Sequence, residues 1–90
     1  MFKVVIKKKA YNDLSKLIRE DEKGYKKALR LIDELYEHPR TGTGKPEMLK
    51  GDLKGRWSRR INRKHRLIYR IEDIEVTVLV ISAYGHYDDK

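Results

Sequence analysis

Residues 56–71 read RWSRRINRKHRLIYRI, and this stretch decides which class of fold the chain can adopt. Two kinds of residue alternate on both sides of residues 62–64, which have the composition of a hairpin turn. One set is mainly apolar and comprises Trp57, Arg59, Ile61, His65, Leu67, Tyr69 and Ile71. The other set is mainly cationic and comprises Arg56, Ser58, Arg60, Arg66, Ile68 and Arg70. A period of two predicts strands, so we expect an antiparallel hairpin with one core face and one cationic face.

The segments that flank this hairpin predict two more strands. Downstream, residues 73–75 offer a second turn, and the β-branched residues 76–83 read as a strand that completes a three-stranded antiparallel meander. Upstream, the short apolar run at residues 2–6 predicts an N-terminal strand.

Two helices are predicted between the first strand and the meander. Apolar residues recur at helical spacing from Tyr11 to Ile18, the pattern breaks at Gly24, and it resumes from Tyr25 to Tyr36. Each helix has one apolar stripe, so the simplest α+β packing lays the helix hairpin on the core face of the sheet. The opposite face of the sheet is then left cationic.

The positive charge of the chain is concentrated in one region. The net charge is +8 at pH 7, but residues 40–70 hold eleven Lys and Arg against two acids, Glu47 and Asp52, so that the remainder carries −1. A surface that is merely solubilising usually mixes both signs. The excess therefore predicts a phosphate-binding surface, with RNA, DNA or an acidic protein as its partner.

Composition excludes several classes of protein. The longest apolar run, residues 78–81, is too short to span a membrane, and the first nine residues are too poor in apolar side chains for a signal peptide. Because the sequence lacks cysteine, it has no disulfide framework and no thiolate zinc site. We therefore expect one domain over residues 1–90 with a flexible tail at 88–90, located in the cytoplasm, without membrane association, cofactor or metal.

Candidate residues for acid–base chemistry lie in the basic segment and near the C-terminus. Metal-free RNA cleavage needs a base for the 2′-hydroxyl proton, a cation for the phosphorane and an acid for the 5′-oxygen. Glu47 is a candidate base, although spacing alone favours a loop ion pair with Lys45 or Lys50. His86 follows the last strand and titrates near neutral pH in its ordinary state, so it is either a general acid or part of a chain end without a role.

The arginines of the predicted cationic face suit a phosphate ligand. A planar guanidinium donates two parallel hydrogen bonds to one phosphate. Arg66 and Arg70 share this face with Arg60 on the neighbouring strand. The alternative is a solvated sheet face, which the concentration of cations disfavours without selecting one arginine for catalysis.

Four motifs taken together resemble a known family. GKPEMLK starts at Gly44, residues 55–61 read GRWSRRI, residues 65–69 read HRLIY, and GHY follows at residues 85–87. In combination they closely resemble the YoeB/Txe group of the RelE superfamily over residues 42–87. The resemblance implies a RelE-like fold and the toxin of a type II toxin–antitoxin module. It further implies a metal-independent endoribonuclease that cleaves mRNA in the ribosomal A site.

The resemblance also implies roles for individual residues. It makes Glu47 the general base, Arg66 the stabiliser of the transition-state phosphate and His86 the general acid. Five further residues are expected to contact RNA, namely Lys45, Lys50, Arg59, Arg60 and Tyr87. Family chains commonly end near this tyrosine, whereas this chain continues with residues 88–90 (DDK), whose two acids should repel phosphate unless they point away.

The implied partners are nucleic acid and protein. They are mRNA with the 16S RNA of the 30S ribosomal subunit, an acidic YefM/Axe-type antitoxin, operator DNA reached through the antitoxin complex, and a second copy in a homodimer. Two alternatives use the same basic face without catalysis: an RNA- or ribosome-binding module, and an inactivated toxin acting as an antitoxin-binding co-repressor. Glu47 separates these readings, because a pure phosphate binder has no need of a carboxylate.

Overall fold

The helices and strands predicted from the sequence occur in the predicted order, and the structure adds a short strand at Glu47–Met48. The structure is a computed structural model and describes residues 1–51 and 54–81. Its elements are β1 (Lys3–Ile6), α1 (Lys8–Glu20), α2 (Glu22–Leu35), β2 (Glu47–Met48), β3 (Arg56–Arg60), β4 (Arg66–Glu72) and β5 (Glu75–Val80). The predicted α+β architecture of an N-terminal strand, a helix hairpin and a C-terminal meander is confirmed.

The five strands form one sheet in the order β1-β5-β4-β3-β2. Strands β3, β4 and β5 make the predicted antiparallel meander. Strand β1 pairs in parallel with β5, so the sheet is mixed rather than antiparallel throughout. This pairing joins distant parts of the chain, and the short apolar run of β1 carries no signal that identifies its partner. Strand β2 lies at the other edge, antiparallel to β3.

The register of β3 and β4 confirms the two predicted faces. Trp57 lies opposite Tyr69 and Arg59 opposite Leu67, whereas the intervening pairs belong to the other face of the sheet. Those pairs are Arg56 with Arg70, Ser58 with Ile68, and Arg60 with Arg66. We call this second surface the arginine face.

The turn between β3 and β4 is held by Asn62. Its side-chain oxygen accepts hydrogen bonds from the backbone N–H groups of Lys64, at 2.9 Å, and His65, at 2.8 Å. The side-chain amide of Asn62 also donates to Asp21, at 2.9 Å, at the start of α2. The turn is therefore fixed both locally and against the helix layer.

The hydrophobic core lies between the helix hairpin and the sheet. Both helices contribute their apolar stripes, and the sheet contributes the residues opposite the arginine face. The members of the core are Ala10, Leu14, Leu17, Ala28, Leu31, Ile32, Leu35, Ile61, Leu67, Tyr69, Val76, Val78 and Ile81. Each fully buried Leu, Ile or Val stabilises the fold by about 1.5–3 kcal/mol before the entropy cost of ordering it. Trp57 packs against this cluster, so its prediction as a core residue, with Tyr69, is confirmed.

The break between the two helices differs from the prediction. It lies at Asp21 and not at Gly24, which falls in the first turn of α2. The Asp21 side chain accepts a hydrogen bond from the Gly24 backbone N–H at 2.9 Å and thereby caps α2. The sequence pattern was misread because the capping residue, rather than the glycine, interrupts the helix.

Neither α1 nor α2 is both long and apolar enough to cross a membrane, and these are the helices within the described ranges.

A buried carboxylate on α1 fixes the end of β5. Asp13 accepts a hydrogen bond from the backbone N–H of Ile81 at 3.1 Å, and it forms an ion pair with Lys9 at 2.7 Å. Asp13 therefore anchors the backbone five positions before His86, the predicted general acid.

Candidate functional site

Glu47 begins the edge strand β2 and is directly opposed to Ser58 in β3. Directly opposed residues share a sheet face, with their Cβ atoms about 4.5–5.5 Å apart. Glu47 therefore belongs to the arginine face, where Ser58 in turn lies opposite Ile68. Ser58 and Ile68 are each only 1% exposed, whereas Glu47 is exposed to solvent.

Arg66 reaches the same place from strand β4. Its guanidinium Nη1 donates to the Ser58 hydroxyl at 3.4 Å, a long hydrogen bond that runs diagonally across the β3–β4 pair. Glu47 and Arg66 are thus both adjacent to Ser58, one from each neighbouring strand. Arg60 lies directly opposite Arg66 and is exposed. The structure therefore brings one carboxylate and two guanidinium groups together on one sheet face.

The other predicted site residues do not all lie beside this cluster. Lys45 is exposed, has a positive φ of 51°, and lines a cleft together with Lys27, Arg60 and Arg63. Lys50 is exposed two positions beyond the end of β2. The predicted residues His86 and Tyr87 lie outside the described residues.

Arg59 corrects the prediction that it contacts RNA. Its side chain is 0% exposed, because it points into the helix-facing side of the sheet between Trp57 and Ile61. A guanidinium has five N–H donors, and all five are used inside the protein. Their acceptors are the Tyr69 hydroxyl at 3.1 Å, Glu34 Oε1 at 2.7 Å, the backbone oxygens of Thr43 at 3.3 Å and Thr41 at 2.6 Å, and the His38 backbone oxygen. A buried guanidinium without a spare donor cannot bind a phosphate at the surface.

As a result, the pKa values of the groups around Arg59 are shifted. Partial burial alone would raise the pKa of Glu34, but hydrogen bonds from the Thr43 hydroxyl and backbone N–H, and from Arg59, outweigh burial and lower this pKa. Burial raises the pKa of Tyr69, against the opposing effect of Arg59. The phenol therefore stays neutral and donates to the Pro39 backbone oxygen at 2.7 Å.

This buried network holds the loop that leads to Glu47. Arg59, Glu34 and Tyr69 together bind backbone or side-chain groups of residues 38–43. The next residue, Gly44, has a φ of +87° and accepts a hydrogen bond from the backbone N–H of Arg60 at 2.7 Å. The loop is thus attached to β3 at two successive points, immediately before it enters β2. We call these attachments the Arg59 clamp.

Sequence reasoning missed Glu34 and the role of the Tyr69 hydroxyl. A signal was available, because Arg59 falls on the apolar set of alternating positions and a buried arginine needs a carboxylate partner. Nothing in the spacing selects Glu34, which is 25 residues away, from the other acids of the helices.

Comparison with known proteins shows which family this chain resembles. The profile of the family described as YoeB-like toxin of bacterial type II toxin-antitoxin system matches residues 6–87. The toxin YoeB of Mycobacterium bovis is 46% identical over 78 residues, which cover 87% of this chain and 89% of that protein.

Similar solved structures include toxins of the same family. A YoeB/ParE toxin from Agrobacterium tumefaciens superposes with a TM-score of 0.84 at 33% identity, covering 94% of this chain and 100% of that one. A YoeB–YefM complex from Staphylococcus aureus superposes with a TM-score of 0.78 at 29% identity, covering 93% and 98%. The chain therefore belongs to the YoeB-like toxin family of bacterial type II toxin–antitoxin systems.

Proposed function

We propose that this toxin is an endoribonuclease that cleaves mRNA in the ribosomal A site without a metal ion. The observation that carries the proposal is the position of Glu47 and Arg66, which approach Ser58 from opposite sides on one sheet face. A carboxylate beside a guanidinium places a general base and a phosphate-binding cation close enough to act on the same substrate. The family resemblance supports the same roles.

The reaction follows from these groups. The Glu47 carboxylate accepts the proton of the 2′-hydroxyl, whose oxygen attacks the adjacent phosphorus. Arg66 stabilises the additional negative charge of the phosphorane through charge-assisted hydrogen bonds. The bond to the 5′-oxygen breaks as His86 donates a proton to it, leaving a 2′,3′-cyclic phosphate and a 5′-hydroxyl. Lys45, Lys50, Arg60 and Tyr87 are proposed contacts to the RNA around this centre.

The proposed protein partner is an acidic antitoxin of the YefM type. One of the similar solved structures is a YoeB–YefM complex, and the cationic arginine face has the opposite charge to such a partner. A homodimer, contacts with the 30S subunit and a cytoplasmic location belong to the same proposal. A segment of acidic and apolar character would neutralise the toxin by covering Glu47 and Arg66.

Mapping of mRNA 5′ ends after induction tests the proposal. We expect growth to arrest and new 5′-hydroxyl ends to appear within translated codons, only while ribosomes are active. A non-catalytic binding module or an inactivated toxin would produce no new ends. Cleavage that continues when initiation is blocked would show an endoribonuclease that does not depend on the ribosome.

A further inference from the structure

We propose that Arg56 and Arg70 form a second phosphate subsite, which holds the RNA strand to one side of the scissile phosphate. The identity of the ligand, a single-stranded RNA backbone, rests on the proposed function. The subsite itself rests on the register, burial and charge of these two side chains.

The two arginines are directly opposed across β3 and β4. They lie on the arginine face, two residues along the strands from the Ser58–Ile68 pair. At a rise of about 3.3 Å per residue, the Arg56–Arg70 pair is about 7 Å from that buried pair and about 13 Å from the Arg60–Arg66 pair. The face therefore carries one arginine pair on each side of the position that Glu47 and Ser58 share.

A pair of opposed arginines is unfavourable in the free protein. Like charges directly opposite in a sheet destabilise the strands, and Arg56 and Arg70 are both half-buried, which adds a cost of desolvation. A purely structural role therefore does not explain two such pairs on one face. A bound anion reverses the sign of the interaction, because one phosphate can accept hydrogen bonds from both guanidinium groups.

The contacts of Arg70 leave donor capacity for an anion. Its Nε is 3.7 Å from Glu72 Oε2, a separation too long for a hydrogen bond, between side chains that are 39% and 70% exposed. That Nε is buried, and no acceptor from residues 1–51 or 54–81 hydrogen-bonds it. Because solvent does not reach this Nε, an anion can accept from it only after the Arg70 side chain moves, and the free-energy cost of the unsatisfied donor favours that movement.

Continuity of the face favours RNA as the ligand over an acidic protein segment. A strand that presents its scissile phosphate to Arg66 must continue across the protein on both sides of that phosphate. The Arg56–Arg70 pair is the next cationic position along β3 and β4 on the same face. A backbone with evenly spaced phosphates matches two cationic pairs with an acid between them, where the 2′-hydroxyl must be deprotonated.

The test compares two double variants with equal loss of charge. Arg56→Gln/Arg70→Gln removes the subsite, and Arg19→Gln/Arg30→Gln removes two exposed arginines from α1 and α2. Both are made in the Glu47→Gln protein, which should bind RNA without cleaving it. The probe is a single-stranded oligoribonucleotide of about twelve nucleotides, bound between about 50 and 200 mM salt.

We expect Arg56→Gln/Arg70→Gln to weaken RNA binding at least about tenfold at the lower salt concentration. The slope of log K against log salt should flatten by about 0.7 for each phosphate that the variant no longer neutralises. Arg19→Gln/Arg30→Gln should change the affinity much less. The Tm of Arg56→Gln/Arg70→Gln should equal or exceed that of the parent protein, because a repulsive pair is removed.

The outcomes separate the subsite from the proposed function. Unchanged RNA binding by Arg56→Gln/Arg70→Gln refutes the subsite, whether or not the wild-type protein cleaves mRNA. Weakened RNA binding alongside full cleavage by the single variant Glu47→Gln upholds the subsite and refutes the proposed catalysis. Loss of antitoxin binding with RNA binding intact would assign the two arginines to a protein partner and overturn the proposal.

Discussion

Arg59 and Glu34 form a 2.7 Å ion pair that joins the middle of the sheet to helix α2, with the arginine side chain wholly buried. The same guanidinium binds three backbone oxygens of the loop that precedes β2. That loop delivers Glu47 to the arginine face. The position of the proposed base thus depends on a charged side chain that is fully buried.

Replacing Arg59 with methionine should destabilise the protein severely. The variant leaves three loop oxygens and the Tyr69 hydroxyl without their donor, whereas Glu34 keeps its hydrogen bonds from Thr43. Each buried acceptor left without a partner costs about 1–3 kcal/mol. Urea unfolding followed by circular dichroism measures this loss. Arg60→Met, at the exposed neighbouring position, should change the free energy of unfolding by less than about 0.5 kcal/mol. Equal effects at the two positions would show that the clamp does not stabilise the fold.

Acid should weaken the clamp through Glu34. Its pKa is lower in the folded protein than its ordinary value of 4.5, so the ionised form stabilises the fold. That contribution is complete above pH 4.5 and is lost as the pH falls through the lowered folded value. Glu34→Gln should therefore be less stable than wild type at neutral pH, and the difference should shrink in acid. Urea midpoints measured across this pH range test the expectation.

A non-titrating control belongs with that measurement. Ser15→Ala, at an exposed position of α1, should give a pH profile parallel to that of the wild type. A gap between Glu34→Gln and wild type that stays constant down to strongly acidic pH would contradict the role of the ionised carboxylate.

The alternation in residues 56–71 was sufficient to predict the sheet faces. A two-residue period is a local property, and burial of one face enforces it, so Trp57, Leu67 and Tyr69 could be assigned to the core. The parallel pairing of β1 with β5 could not be predicted, because it is set by the packing of distant segments. The start of α2 was misplaced because Asp21 and Gly24 are both plausible interruptions, and the capping hydrogen bond decides between them.

Substitution of Gly44 should disturb both stability and the site. Its φ of +87° disfavours any other residue, and an added Cβ would lie 3.0 Å from the backbone oxygen of Arg60. We expect Gly44→Ala to cost about 1–3 kcal/mol and to displace Glu47, three residues further on. Gly51→Ala is the matched control, because Gly51 also has a positive φ of 68° but no atom of the described residues, 1–51 and 54–81, lies within 4 Å of its added Cβ.

The two glycine variants should differ most in activity. Gly51→Ala should lose only about 1–2 kcal/mol of stability from its backbone conformation and should keep its rate of RNA cleavage. Gly44→Ala should cleave more slowly than Gly51→Ala at a temperature at which both are folded. Equal rates would mean that the Gly44–Arg60 attachment does not position Glu47.

The candidate site was predictable where motif and geometry coincide. Glu47, Arg60 and Arg66 were assigned from the sequence motifs, and the strand register brings them to one face. Arg59 was misassigned because the motif contains two adjacent arginines, and adjacent residues of a strand point to opposite faces. The partner of a buried arginine is a tertiary property, so Glu34 could be found only from the structure.

Single-turnover cleavage of ribosome-bound mRNA tests the central claim most directly. Three proteins should be compared under identical conditions: wild type, Glu47→Gln, and Glu20→Gln, which alters an exposed carboxylate at the end of α1. General-base catalysis contributes about 10²–10⁴-fold, so Glu47→Gln should lower the cleavage rate by about that factor while ribosome binding is retained. Glu20→Gln should cleave at nearly the wild-type rate. Cleavage by Glu47→Gln at the wild-type rate would contradict the assignment of Glu47 as the base.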